Sequence, residues 1–451
     1  MWRNVMRNLS IPLITRKEKL VNCIWGKQMI ASRFNKIVKI QDRYFLYNLA
    51  SKALFEVDET MEETLKNVSD IDEQTAKILY ENGIIADSYE YETSRMINNF
   101  NNVKYDRTQM SIFLSMTASC NLNCSYCYQD ARKELNVCNC YMNDNNWGKI
   151  IKYLKDSIQD NDIKKLTIFL FGGEPMLDPV KLQEYVKELK ALNTRVILVL
   201  ITNGTMFNEI NVEFFAKNID SIQITVDGPK RIHDKNRPYR SGEGTFDDII
   251  TNLKRLGEHN PNEITLRVNV DENSIESIYG FVDYVCEEGI NKIVAAVKFS
   301  PIFATQNDVM GCGLAIDNED FDSKLGDLYL YAASKGLNTF KDFDGGVCVG
   351  KVQGGYTIDE NLNVYTCPGV LYQEACGKLT EEGIKIKSEK WFDLINNNSE
   401  CVSKCMYAPI CFGGCKWSGE CSKKHLDTTF EKILKAYIIS FYDLRKVAVN
   451  G

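Results

Sequence analysis

The segment Cys120-Asn-Leu-Asn-Cys124-Ser-Tyr-Cys127 places three thiols on one short stretch of chain. Three thiolates on a single loop can bind three irons of a [4Fe–4S] cube and leave the fourth iron without a protein ligand. Such an open iron can chelate the amino and carboxylate groups of S-adenosylmethionine (SAM). One electron passed from the cluster into the sulfonium would then release a 5′-deoxyadenosyl radical. The spacing therefore predicts a cluster built to react rather than only to pass electrons. A second concentration of cysteines follows late in the chain, at Cys348, Cys367, Cys401, Cys405, Cys411, Cys415 and Cys421. Clustered thiolates also suit zinc, so a zinc ribbon competes as a reading of this run.

Composition narrows the choice. The chain has 16 cysteines but only three histidines, His233, His259 and His425. Disulfides suit small secreted scaffolds, and the basic start MWRNVMRNLSIPLITRKEKL lacks an apolar core followed by a cleavage site. Iron–sulfur ligation in a reducing, cytoplasmic setting is the expectation that remains. The net charge of −7 argues against a nucleic-acid partner, which needs a positive field. No apolar run reaches the ~18–20 residues of a membrane span.

Several elements must position these residues. Short apolar runs in 34–57 read as strands, followed by helices at 59–68 and 71–82, the second opened by Ser69-Asp70 and closed by Gly83. Residues 1–44 carry ten Lys/Arg against two Asp/Glu, while 56–92 are acidic. Residues 101–109 read as a polar linker. Beyond it, strands at 111–117, 166–171, 196–202, 221–226, 264–270 and 293–299 alternate with helices near 144–158, 179–192, 208–217, 245–258 and 274–289. That alternation predicts an α/β fold with a parallel sheet, a partial barrel of six units. Cys120 follows the first of these strands, at the carboxyl end where reactive sites gather. From about 310 the text turns to Gly-, Asn- and Cys-rich loops, and a helix near 427–446 ends the chain.

The Cys-x3-Cys-x2-Cys motif, with aromatic Tyr126 before its last cysteine, resembles the hallmark of the radical SAM superfamily. Gly172-Gly173-Glu174-Pro175, after the second strand, looks like that family's GGEP motif. The resemblance implies that the glycines let the backbone approach and that Glu174 accepts from the SAM amino group. It further implies that Asn203 of Thr-Asn-Gly, and Thr225 with Asp227, flank the SAM ribose or carboxylate. The stretch Asp227-Gly228-Pro229…His233-Asp234…Arg237 matches many members too. The tail, Cys401-x3-Cys405-x5-Cys411-x3-Cys415 then Cys421, with Phe412-Gly413-Gly414, resembles a SPASM domain. It departs in its first gap, three residues rather than two, and in Leu362, where a glycine is expected. Carried over, one auxiliary [4Fe–4S] cluster takes Cys348, Cys367 and Cys415, with Cys312 or a substrate thiolate as fourth ligand. The other takes Cys401, Cys405, Cys411 and Cys421. Cys23, Cys138, Cys140, Cys286 and Cys376 fit no pattern.

The expected organisation is thus a winged-helix-like leader-recognition domain over 1–100, a radical SAM partial (βα)6 barrel over 108–305, a SPASM domain over 310–425 and a C-terminal helix over 426–451. By resemblance, the protein is expected to be an enzyme that matures a ribosomally synthesised, cysteine-rich precursor peptide by thioether (sactipeptide or ranthipeptide) crosslinking, fed by a flavodoxin- or ferredoxin-type electron donor. The alternatives are formylglycine formation of the anaerobic sulfatase-maturase type, or another peptide crosslink or epimerisation. An electron-transfer or scaffold role for the clusters is a different class. Reductive SAM cleavage distinguishes it. Asp342, Asp344 and Asp359 are the candidate bases.

Overall fold

The computed structural model describes residues 13–14, 29–130, 140–259, 263–302, 318–339, 348–373, 375–387, 399–411, 414, 421 and 423–441. These fall into two compact units, one within 1–102 and 397–413, the other within 103–396 and 414–450.

In the first unit, β1 (Leu13–Ile14), β3 (Asn35–Ile40), β4 (Arg43–Asn48) and β5 (Leu54–Val57) form a sheet of order β1-β5-β4-β3, while β2 (Ile30–Ala31) pairs with β6 (Ile85–Ala86). Three helices, Met61–Lys66, Glu73–Glu81 and Tyr89–Lys104, accompany them. Leu46, Phe55 and Val57 of the sheet pack on Met61, Leu65 and Leu79 of the helices. Each such buried side chain contributes about 1.5–3 kcal/mol. Asn48, fully buried, satisfies both ends of its amide. It donates to Ser32 Oγ, Asn35 Oδ1 and the Gly83 carbonyl, and accepts from the Ala50 and Ser51 amides.

The second unit is built on a ten-stranded sheet. β7 (Gln109–Ser115), β8 (Lys165–Phe171), β9 (Arg195–Thr202), β10 (Ser221–Thr225), β11 (Ile264–Val270) and β12 (Ala296–Pro301) run parallel in sequence order, as the alternating pattern predicts. On β8, Leu166, Ile168 and Leu170 are fully buried, while Phe169 and Phe171 alternate onto the opposite face and line a cavity. The sheet then continues past β7. β13 (Gly355–Ile358) pairs with β7 in parallel, followed by antiparallel β14 (Asn363–Tyr365), β15 (Gly377–Thr380) and β16 (Gly383–Ile386).

Four local readings change. Residues 101–104 finish the helix Tyr89–Lys104 rather than a linker, because Met96 and Phe100 give an otherwise Asn-rich segment one buried stripe. The helix after Ile71 is capped by Asp72, whose side chain accepts from the Thr75 amide, and not by Ser69-Asp70. The last barrel strand starts at Ala296 rather than 293, since a 3-10 turn at Ile290–Lys292 holds Ile293 in helical backbone. The stretch beyond 310 is not all loop. Helix Glu319–Ser334 packs on the C-terminal helix Lys423–Phe441, with Lys432 reaching the Ser323 carbonyl and Asp327. Among the described residues no helix is long and apolar enough to cross a membrane.

Candidate active site

The loop after β7 is stitched to the turn after β8. The Met116 amide donates to the Phe171 carbonyl, Gly173 to Thr117 and Glu174 to Ser119, each at 2.8 Å. A Cβ on Gly173 would stand 2.0 Å from the Ser119 carbonyl oxygen, and one on Gly172 would stand 2.5 Å from that of Thr117. Gly172 also sits at φ +132°. Both positions therefore require glycine, and the contact they permit sets the path of the chain into Cys120. The Glu174 carboxylate is fully buried and accepts from Thr202 Oγ1 (2.6 Å), the Asn203 amide (2.7 Å) and the Met176 amide (2.9 Å). It ties the ends of β8 and β9 together. Burial raises its pKa and these bonds oppose the rise.

The cysteine loop is held from its other side by residues 236–240. The Asn123 and Ser125 amides donate to the Pro238 and Asn236 carbonyls, and Arg240 Nε donates to the Cys120 carbonyl at 2.6 Å. Asn203 Nδ2 donates to Asn121 Oδ1 at 2.9 Å. Between Cys124 and Cys127, the Tyr126 hydroxyl donates to Asp227 and accepts from Arg237 Nη1 (2.8 Å) and Asn269 Nδ2 (2.9 Å). The Asp227 amide donates to His233 Nδ1 at 3.0 Å, which puts the ring proton on Nε2, facing Thr245 Oγ1 at 2.9 Å. Burial, with Arg237 nearby, pushes His233 down to about 3, so the imidazole is neutral.

Cys120, Cys124, Tyr126, Cys127, Gly172, Gly173, Asn203 and Thr225 all line one cavity of about 630 Å³, which runs from the carboxyl ends of the parallel strands down to Asp220, Ser221 and Glu263 at the strand starts. Glu174 and Asp227 stand behind it, fully buried. Burial pushes the Cys120 thiol up to about 12 and raises Cys124, where Arg237 opposes the rise. Thiolates in this setting need a positive partner, which the irons of a cluster supply. Among the described residues no three Cys, His, Asp or Glu side chains converge on a single ion. Arg237 is only 8% exposed, lines the cavity, and its Nε is buried without a hydrogen-bond partner. An orphaned guanidinium N–H beside the cysteine loop fits a ligand that carries a carboxylate, as SAM does.

The tail residues divide. Cys348 Sγ and Cys367 Cβ both lie within 4 Å of the point where Gly350 would carry a Cβ, at 3.9 and 3.7 Å. Cys367 is buried in an apolar cluster with Ala118, Phe171 and Tyr372 that backs the cysteine loop. Cys401 and Cys411 lie on two short helices, Ser399–Lys404 and Ala408–Cys411, and Cys405 stands between them, its amide donating to the Cys401 carbonyl and its carbonyl accepting from the Ala408 amide. They belong to the first compact unit, whereas Cys421 falls in the second. Cys23, Cys138, Cys312, Asp342, Asp344 and Cys415 lie outside the described residues. Cys140 is disulfide-bonded, Cys376 is buried and donates to the Val364 carbonyl, and Cys286 reaches the Lys335 carbonyl. Asp359 is occupied as a turn residue, accepting from the Asn361 and Asn363 amides and from the Tyr365 hydroxyl.

Arg267 and Asn269 line the same cavity and escaped the sequence reading. The available signal was their spacing. Two polar residues at i and i+2 in the apolar strand ITLRVNV must share one face.

Residues 114–285 match the sequence profile of the Radical SAM superfamily. A cysteine-type anaerobic sulfatase-maturating enzyme of Clostridium novyi is 33% identical over 176 residues, 37% of this chain and 45% of that protein. The like-named enzyme of Clostridium perfringens is 22% identical over 334 residues, 66% of this chain and 86% of that one. A radical SAM cyclopropyl synthase, TigE, of Paramaledivibacter caminithermalis is 23% identical over 270 residues, 58% of this chain and 54% of that one. The chain thus spans less than half the length of the first of these relatives. Two solved structures share the fold. These are anSMEcpe with bound AdoMet and Cp18Cys peptide (TM-score 0.53, 17% identity, 75% of this chain and 99% of that one) and Streptococcus suis SuiB bound to S-adenosylmethionine (TM-score 0.51, 16% identity, 86% and 96%).

Proposed function

We propose that this chain, a radical SAM enzyme by its 114–285 domain, forms thioether bridges from cysteine sulfur to carbon in a ribosomally made precursor peptide. The observation that carries the reading is the N-terminal unit. Its sheet ends on β3, which has a partner on one side only among the described residues. An open edge strand can capture an extended peptide by strand addition, with main-chain bonds giving affinity. In this reading the first unit, a winged-helix-like module, holds the leader while the remaining peptide reaches the cavity.

When bound, the cluster on Cys120, Cys124 and Cys127 supplies the electron that breaks SAM and yields the radical that takes a hydrogen atom from the substrate. The protein's part is placement. Arg237 orients the SAM carboxylate, and Asn203 and Thr225 border the cofactor on the strand ends. The bonds of Tyr126 to Asp227, Arg237 and Asn269 hold the cysteine loop still. Phe113, Phe169 and Phe171 keep water from the wall where the substrate carbon sits. Cys348, Cys367 and Cys415 would hold one auxiliary cluster, and Cys401, Cys405 and Cys411 would contribute ligands to the other. Such a cluster would supply an acceptor for the second electron, and a flavodoxin- or ferredoxin-type donor in the cytoplasm would feed the cluster on Cys120, Cys124 and Cys127.

The test is anaerobic co-expression with a cysteine-rich peptide encoded beside the gene, read by mass spectrometry. Loss of a pair of hydrogens for each bridge, with the cysteine no longer alkylated, is the expected result. The names of the Clostridium relatives favour a second reading, formylglycine formation. It would show as loss of the thiol and gain of a hydrazide-reactive aldehyde, with no bridge.

A further inference from the structure

Strand β10 turns its polar side inward. The interior positions of such barrels are filled mainly by branched apolar side chains. Here Ser221, Gln223 and Thr225 line the cavity, while Ile222 and Ile224 are buried on the other face. The neighbouring β9 keeps the ordinary pattern, with Ile197, Val199 and Ile201 on the cavity side. On β11 the polar face continues through Thr265, the Cα partner of Gln223. The change from apolar to polar wall thus falls between two adjacent strands.

Gln223 and Thr265 stand side by side across the strand pair, their Cβ atoms about 5 Å apart. They lie one layer below Thr225, the last residue of β10, which puts them roughly 7 Å from the strand ends that border the cofactor. Both are half-buried. Among the described residues no group hydrogen-bonds to the side chain of either. A side-chain amide offers two N–H donors and an acceptor oxygen, and a threonine hydroxyl offers one donor and two lone pairs. All of that capacity is open to the cavity.

Both groups are neutral, so this capacity stands whatever the charge balance among Arg267, Lys298, Glu263 and Asp220 on the same cavity. Polar groups that a bound molecule shuts off from water cost stability unless that molecule bonds them. An amide matches Gln223 best, because it presents the same donor and acceptor in reverse. A carboxylate would engage only the N–H groups of Gln223, and an ammonium only its oxygen. The rest of the wall suits the apolar part of an amino-acid residue, since the rings of Phe113 and Phe169 are stacked there at 4.0 Å.

We propose that Gln223, with Thr265 beside it, is a substrate-binding residue that hydrogen-bonds an amide group of the peptide next to the attacked carbon. By pinning that group one layer below the cofactor, the pair fixes where the neighbouring carbon stands. A peptide carries such amides in its main chain and in Asn and Gln side chains, and the test separates the two sources. This inference rests on the peptide-substrate reading above.

Reconstituted, SAM-loaded holoenzyme is assayed without oxygen on a synthetic copy of the cysteine-rich precursor encoded beside the gene. Wild type is compared with Gln223→Leu and Thr265→Val. The readouts are kcat, KM, 5′-deoxyadenosine formed per bridge, iron content, and SAM affinity by equilibrium dialysis. Gln223→Leu is expected to lower kcat/KM by about 10-fold, the worth of two modest neutral hydrogen bonds. It should also raise the 5′-deoxyadenosine formed per bridge, because a misplaced carbon leaves the radical unused. Thr265→Val shows the same changes to a smaller extent. Precursors with one ester in place of one main-chain amide, or alanine in place of one Asn or Gln, are then run on each enzyme as double-mutant cycles. One replacement should cost wild type about 10-fold and Gln223→Leu nothing further. An ester at that position identifies the main chain, and an alanine identifies a side chain. Loss of coupling at a single position is an outcome that misfolding does not produce. Should Gln223→Leu fail to take up iron, the same cycles on Thr265→Val decide. Unchanged constants in the variants, or additive losses for every replacement, overturn this inference alone. A SAM affinity about 30-fold weaker in Gln223→Leu, with the peptide constants unchanged, assigns the pair to SAM and overturns it as well. A precursor left unmodified by wild type overturns the peptide-substrate reading, and the subsite with it.

Discussion

Replacing Gly173 with alanine tests whether the turn after β8 sets the position of the first cysteine. The new Cβ would lie 2.0 Å from the Ser119 carbonyl oxygen, 2.5 Å from its carbon and 2.9 Å from the Ala118 oxygen. Non-bonded carbon and oxygen need roughly 3.2 Å, so the loop entering Cys120 must retreat by about 1 Å. That retreat strains the two backbone bonds made by Gly173 and Glu174 to Thr117 and Ser119. Two such bonds at about 1 kcal/mol each, plus about 1–3 kcal/mol for overpacking, give a cost of about 3–5 kcal/mol. The functional loss is larger in proportion, because a displacement of about 1 Å at a reacting centre costs about 100-fold in rate. The assay is anaerobic reconstitution followed by iron content, the electron paramagnetic resonance of the reduced cluster with and without SAM, and SAM cleavage. Gly148→Ala is the control, since a Cβ there meets nothing within 4 Å, and it should leave all three unchanged. A Gly173→Ala protein with full iron, a wild-type SAM-induced spectral change and normal cleavage would refute the steric argument.

Arg237→Met should weaken SAM binding by about 10- to 100-fold, the worth of a charge-assisted bond to a carboxylate, while the cluster still assembles. Equilibrium dialysis of the loaded protein reads this, and unchanged affinity would remove Arg237 from the cofactor site. Burial, with Asp359 adding to it, pushes the Glu360 carboxyl up to about 7. A carboxyl whose folded pKa is raised binds protons in the native state that the unfolded chain has released. Its contribution is intact near pH 4.5 and is lost as pH rises toward 7. Glu360→Gln should therefore raise stability at pH 8 by up to about 3 kcal/mol relative to its effect at pH 5. Thermal denaturation at the two pH values checks this, and an equal shift at both would contradict it.

The radical motif was legible because its chemistry is contiguous. Three cysteines within one loop need no tertiary contact to be recognised, and the strand before them followed from apolar alternation. Glu174 was legible as a site residue but not in what it touches. Three of its roughly four acceptor positions face Thr202, Asn203 and Met176. Arg267 and Asn269 were hidden for a different reason. Alternation tells which residues share a face, but only the folded sheet tells which face meets the cavity. The expectation of a glycine at position 362 has a backbone cause, since Leu362 adopts φ +69°. A leucine there costs about 1–2 kcal/mol of left-handed strain, offset by burial of a side chain that is 3% exposed. The grouping of Cys401, Cys405 and Cys411 with the N-terminal unit was invisible to any reading along the chain, because it joins segments some 300 residues apart.

The parallel pairing of β13 with β7, from Gly355 opposite Ser111 to Ile358 opposite Leu114, bears on how this protein could be taken apart. β7 leads directly to Cys120, and β13 and β14 lead to Cys367, so one continuous hydrogen-bonded ladder carries both cysteine loops. A chain cut after β12 would strip the four partnered residues of β13 from β7 and leave that edge unpaired, a template for aggregation. The barrel and its cysteine-rich extension are therefore not interchangeable cassettes. A chimaera that trades the extension between relatives has to make its junction outside the sheet, carrying β13 through β16 with the barrel.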